Sequence, residues 1–133
     1  MIRARTFDPV NELVINVDVA DIDGVARLIE QAVARRSGRG CPAVELSRDD
    51  DSSLSIDTDG VRAVLVWINS LDESTHSVGE GVGDVLVYDY FGSWSEAPPG
   101  WTVSLADALS GARRFLETGT PQYESLPFEL DQG

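Results

Sequence analysis

His76 is the only histidine in this chain and Cys41 the only cysteine. A zinc site needs three or four clustered ligands at characteristic spacing, and one of each cannot make the usual sets. A Ser-His-acid triad would have to run through His76, and no Gly-x-Ser-x-Gly turn exists to present a serine. His76 is therefore read as a surface or hairpin residue. Cys41, between Gly40 and Pro42, reads as a small, partly buried filler; Arg39 could lower its pKa, but one arginine does not make a nucleophile.

Asp-x-Asp-Gly occurs twice, at Asp21–Gly24 and Asp57–Gly60. With Gly24 as the sixth residue of a calcium loop, the first position is Val19; with Gly60 as the sixth, the twelfth is Val66. Both positions need a side-chain oxygen, so neither segment is an EF-hand. The simpler reading is helix N-cap and turn aspartates. Gly79-x-Gly81-x-Gly83 has Asp84 where a dinucleotide loop carries its third glycine, and the chain has no lysine for a phosphate loop. A carboxylate there repels phosphate, so this segment is read as a flexible hairpin turn. Many carboxylate pairs are available, but nothing singles out one for acid–base work. No catalytic residue, cofactor or metal is expected.

Leu13 to Val19 alternates as a half-buried strand does. Asp21 or Asp23 then offers an N-cap, and Val25, Leu28, Ile29, Ala32 and Val33 follow at helical spacing. Arg35 and Arg36 fall in the last turn, where cations suit the dipole, and Gly38, Gly40 and Pro42 end the helix. Three β-like runs come next: Ala43–Ser47, Ser53–Asp57 and Val61–Asn69. The third is apolar on both faces, as a central strand must be. A weaker run around Thr75–Val78 leads through the glycine loop to Val85–Phe91, and Gly92–Gly100 reads as a loop. Ser104 with Asp107 is a near capping box, Leu105, Ala108, Leu109, Ala112, Phe115 and Leu116 form one apolar face, and Gly119 with Pro121 stops the helix. Strands joined by short turns pair antiparallel. The expected fold is α+β: a single antiparallel twisted sheet of about five or six strands with two amphipathic helices packed against it.

With 133 residues, 42% hydrophobic and 25% charged, the chain can bury one domain's core. No apolar run reaches the ~18 residues of a membrane span, and Met1–Val10 lacks the apolar core of a signal peptide. With a single cysteine as well, a cytoplasmic location is expected. All ten basic residues are arginine, a bias fitting a GC-rich genome such as an actinobacterial one. The net charge is −13, and it is uneven. Residues 1–39 balance, residues 40–100 carry −10 and residues 101–133 carry −3. Such a body repels phosphate backbones and anionic lipid, so neither nucleic acid nor membrane is an expected partner; a basic protein is. Clustered acid can equally serve only to keep strand edges soluble. Beside it runs Tyr88-Asp89-Tyr90-Phe91-Gly92-Ser93-Trp94, whose rings serve either as core or as interface anchors.

The segment Leu105-Ala106-Asp107-Ala108-Leu109 through Arg114-Phe115-Leu116-Glu117-Thr118-Gly119 to Pro121 resembles the C-terminal signature of the Imm1 immunity proteins. Val78-Gly79 with Gly81, then Val85-x-Val87-Tyr88 and Gly92, is similar to that family's central strands. The resemblance covers roughly residues 60–125 and implies one immunity-protein domain over residues 1–133. It implies a cytoplasmic, non-catalytic antidote that binds one toxin, often a nuclease or nucleic-acid deaminase, and occludes it. The acid surface would then stand in for phosphates in a basic toxin groove, and electrostatic steering would speed association. The expected contact residues are Asp49, Asp50, Asp51, Asp57, Asp59, Asp72, Glu73, Glu80 and Asp84, with Trp94 as an anchor, in a monomer or homodimer. Two rivals stand beside this: a small accessory enzyme or ligand-binding protein of a biosynthetic cluster, and a homo-oligomeric adaptor using an open sheet edge.

Overall fold

A computed structural model of the chain describes residues 2–81 and 83–131. In chain order the elements are β1 (Ile2–Asp8), β2 (Leu13–Val19), α1 (Ile22–Ala34), β3 (Cys41–Pro42), β4 (Val44–Ser47), β5 (Ser53–Thr58), β6 (Arg62–Ile68), β7 (Ser74–Ser77), β8 (Leu86–Tyr90), β9 (Ser93–Ala97), β10 (Val103–Ser104), α2 (Leu105–Thr118) and β11 (Phe128–Leu130). The class is α+β, as expected. The main sheet is larger than the five or six strands read from the sequence: it holds eight, in the order β11-β7-β6-β5-β4-β1-β2, with β10 also on β6. It is also not alone, because β3, β8 and β9 form a second, small sheet.

Alternation along the strands sorts the two faces of the main sheet. Ala4, Val44, Leu46, Leu54, Ile56, Ala63 and Leu65 point to one face, where they join Val25, Leu28, Ile29 and Ala32 of α1 and Ala108, Ala112 and Phe115 of α2. Each large side chain buried there contributes about 1.5–3 kcal/mol. Val64 points the other way, onto Leu86 and Ala97 of the small sheet, with Tyr88 and Trp101 at its margin. The small sheet thus covers part of the face opposite the helices, which is why β6 is apolar on both sides.

Both helices begin and end near the residues predicted. The Asp21 side chain accepts from the Gly24 amide at 3.1 Å, and Ser104 Oγ from the Asp107 amide at 3.1 Å. Gly119 closes α2 in the left-handed conformation, its N–H donating to Phe115 O. Arg35 and Arg36 lie at and beyond the end of α1 instead of in its last turn. Arg36 instead donates to Asp59 O and to Cys41 Sγ, tying the helix end to the β5–β6 turn. Gly111 has a packing role that the helical pattern does not reveal: a Cβ there would lie 2.6 Å from Leu126 Cδ2 and 2.8 Å from Leu65 Cδ1.

Three expectations change. The segment after Gly79 is not a hairpin turn, since β7 pairs with β6 and β11 whereas β8 pairs with β3 and β9; it is a crossover between the sheets. A Cβ on Gly79 would meet Thr102 O at 1.6 Å, so this glycine permits a backbone crossing and cradles nothing. The stretch read as a loop, Gly92–Gly100, contains β9, so Trp94 stands on a strand. His76 is not a surface residue: it lies in β7, 6% exposed, its ring stacked on Trp101 at 3.8 Å.

Candidate functional site

The acidic residues singled out from the sequence occupy three different places. The first is one end of the main sheet. The β4–β5 turn carries Asp49, Asp50 and Asp51, and the β6–β7 turn carries Asp72 and Glu73, all exposed. Register brings the two turns together, because Ser53 pairs with Ser47 on one side and with Ile68 on the other, and Ile68 in turn pairs with Ser74. The same pairing adds Asp131, whose carboxylate accepts from Ser74 Oγ at 2.5 Å. It adds Asp18 on the other flank, which lines a shallow groove with Arg3, Asp49 and Asp51.

Local hydrogen bonds fix these turns without consuming most of the charge. Asn69 Oδ1 accepts from the Leu71 and Glu73 amides, at 2.9 and 3.0 Å, which leaves Asp72 projecting in a left-handed conformation with φ 62°. Asp50 accepts from the Ser52 hydroxyl and amide, and these bonds hold its carboxyl below the usual range. Asp49, Asp51 and Asp72 accept no side-chain hydrogen bond from any described residue. Beneath them Arg48 turns inward, donating to Phe115 O and Leu116 O at the end of α2. That guanidinium caps a helix while also lining the groove with Asp49 and Asp51, and its charge helps to lower Asp50. Two apolar side chains stand within the rim: Leu71 is 78% exposed and Leu130 58%. Neither was singled out from the sequence, and nor were Asp18 and Asp131. A lone leucine in a turn carries no signal until strand pairing shows what surrounds it.

The second place is the opposite end of the sheet. Asp59 turns the β5–β6 connection, accepting from the Val61 and Arg62 amides at 2.9 and 2.8 Å and facing the Arg62 guanidinium at 3.4 Å. Partial burial works against its charge, but these donors outweigh it and keep the carboxyl below its ordinary range. Arg62 also donates to Asp84 O, and with Glu80 and Asp107 it lines an open groove of about 670 Å³. Asp59 therefore faces a cation, Glu80 shares that cation's groove and Asp84 lends it a backbone carbonyl, all away from Asp49–Asp51.

The third place is inside. Asp57 is 1% exposed and cannot project to a partner; that expectation is corrected. Alternation puts it on the face opposite Ile56, and the small sheet covers that face. Its carboxyl accepts from Ser55 Oγ at 2.7 Å. Burial pushes its pKa up to about 7, with Ser55 opposing and nearby Glu45 adding to the rise. Glu45 is held by Arg5 at 2.6 Å and accepts from the Tyr90 hydroxyl at 3.0 Å. Burial, then Glu45, pushes the Tyr90 phenol up to about 12. Next to this network Arg5 lies over the Phe91 ring, 4.9 Å from its centroid. Trp94 is 56% exposed on the β8–β9 hairpin, its indole N–H donating to Glu96.

Chemistry of other kinds finds little support. His76 Nδ1 sits 2.9 Å from Ser77 O, so the ring is committed on one side to the backbone and on its face to Trp101. Cys41 is fully buried, with Arg36 and not Arg39 as its basic neighbour. Among the described residues no group of three His, Cys, Asp or Glu side chains is placed to hold a metal ion, and no helix is long and apolar enough to cross a membrane.

The structure is an α+β domain with two helices on one face of a large antiparallel sheet and exposed acid at that sheet's ends. The family model described as immunity protein Imm1 matches residues 15–121, and the chain belongs to that family. The match runs from the middle of β2 through the end of α2, so it takes in both helices, the small sheet and the main sheet except β1, the start of β2 and β11. Among curated proteins, none matches the chain. Membership in an immunity-protein family implies a cognate toxin as partner.

Proposed function

We propose that this chain neutralises its toxin in the cytoplasm by laying the rim of Asp49, Asp50, Asp51, Asp72 and Glu73 into a basic, nucleic-acid-acting groove. The observation that carries this reading is the convergence of two acid turns, with mostly uncommitted carboxylates, around exposed Leu71. Charge sets the encounter rate and orientation, and apolar contacts set the lifetime once water is excluded. Asp59 at the far end is partly neutralised by Arg62, and with Glu80 and Asp84 it adds only to the long-range field. Trp94, on the small sheet, is an anchor for a second contact. The mechanism is occlusion without turnover, which the committed surroundings of His76 and Cys41 support.

The test uses the cognate toxin and surface-binding kinetics across a salt series. Replacing Asp49, Asp50 and Asp51 together by Asn slows association about tenfold at low salt, flattens the salt dependence and leaves dissociation nearly unchanged. Trp94→Ala speeds dissociation by roughly thirtyfold, as loss of an interface anchor does. Association that is independent of salt and indifferent to the triple change places the interface elsewhere.

A further inference from the structure

The main sheet ends on β2 at one side and on β11 at the other. Natural sheets protect such edges by keeping them short, charged, bulged or interrupted by proline. β11 follows that rule, with three residues and Glu129 at its centre. β2 does not. It pairs with β1 over all seven residues, Leu13–Val19, without a bulge, proline or glycine, and no other strand of the described residues pairs with its outer edge. Asp18 is its one charged residue. Leu13 is 60%, Val14 47% and Val17 37% exposed, so apolar side chains face water on both sides of the strand.

We propose that this edge binds a second copy of the chain, antiparallel and with the two-fold axis at Asn16, so that two main sheets become one. The toxin reading is not needed for this. Strand β2 is self-complementary in that register. Ile15 faces Val17 of the other copy, Leu13 faces Val19, and Val14 faces Asp18. On the helix side the seam is then Leu13, Ile15, Val17 and Val19 from both copies, all apolar. Centring the pair on Ile15 instead sets Glu12 against Asp18, and centring it on Val17 sets Leu13 against Asp21. Only the Asn16 register pairs all seven residues without opposing like charges or setting the apolar stripe against an acid. The charge map points to the same side. Residues 1–39, which include this edge, carry no net charge, whereas the rest of the chain carries all of the −13. Two copies approaching through residues 40–100 would meet acid with acid. The symmetric pair is isologous, as most homodimers are.

The register gives a test that a merely sticky patch fails. In sedimentation experiments on the full chain, the wild type is a dimer that dissociates on dilution. Val14→Glu sets a carboxylate against Asp18 of the other copy at two symmetric points, and moves the monomer–dimer midpoint about tenfold or more upward in concentration. Val14→Arg sets a cation there and keeps the dimer. Position 14 is exposed, so both variants fold, and a thermal melt checks it. Asn16→Cys places two thiols across the axis, about 4.5–5.5 Å apart at Cα, and forms a reducible intermolecular disulfide under mild oxidation. A wild type that stays monomeric, equal losses from Glu and Arg, or an Asn16→Cys chain that does not cross-link overturns the proposal.

Discussion

Asp57→Asn should stabilise this protein, and increasingly so as pH rises. Asp57 lies between the two sheets, where burial lifts its carboxyl from about 3.8 to about 7. The folded state therefore holds a proton that the unfolded state has released between those two values. Stability falls with pH wherever the native state binds more protons. The wild-type penalty thus begins near the unfolded pKa, grows through the acid range and is complete above the folded one. A shift of roughly three units corresponds to about 4 kcal/mol in full. Asn keeps the size of the side chain and can still meet Ser55 Oγ, but it carries no charge to desolvate. Its advantage over wild type should be under about 1 kcal/mol near pH 4 and approach about 4 kcal/mol near pH 8. Asp57 is the only group that differs between the two proteins, so the difference between the two urea-unfolding curves isolates it. A constant difference across this range, or a variant less stable than wild type at high pH, would refute the account of a desolvated carboxyl beneath the small sheet.

Phe115→Ala removes the largest fully buried side chain, a ring that also lies 5.8 Å beneath Arg48. It should cost about 3–5 kcal/mol in denaturant unfolding, and an unchanged midpoint would mean that α2 is rotated from the packing described. Gly111→Ala should lower stability despite better helix propensity, because the new methyl meets Leu65 and Leu126. Overpacking of about 1–3 kcal/mol outweighs the gain of about 1 kcal/mol from alanine, and a more stable variant would show that those leucines are free to move aside.

Local features were legible in the sequence and long-range ones were not. α2 could be bounded almost to the residue because Ser104, Asp107 and Gly119 act within one turn of its ends. β6 stood out because both its faces are covered, which leaves a continuous apolar run, and β5 because Leu54 and Ile56 alternate with polar residues. β1 was missed since its inward positions, Ala4 and Thr6, are small or polar and give a weak apolar signal between Arg3 and Arg5; Arg5 goes to Glu45 across the strand pair, which no local window contains. β9, with Ser93, Ser95 and Glu96, is a polar edge strand, and only its pairing with β8 defines it. The same blindness affected the site. That Asp49–Asp51 and Asp72-Glu73 lie in turns was readable, but their adjacency follows from register. Asp57 and His76 looked exposed because nothing local reports that the small sheet lies over one and Trp101 over the other.

The central claim is that the acid rim is the main toxin contact, with Trp94 on the small sheet as a second one. Amide hydrogen exchange on the chain, alone and in complex with its toxin, tests it most directly. The account predicts that slowed exchange on binding centres on residues 48–52 and 69–73, extending toward Asp131. Protection confined to the β8–β9 hairpin or to the groove around Arg62, with both acid turns exchanging as freely as in the unbound chain, would contradict it.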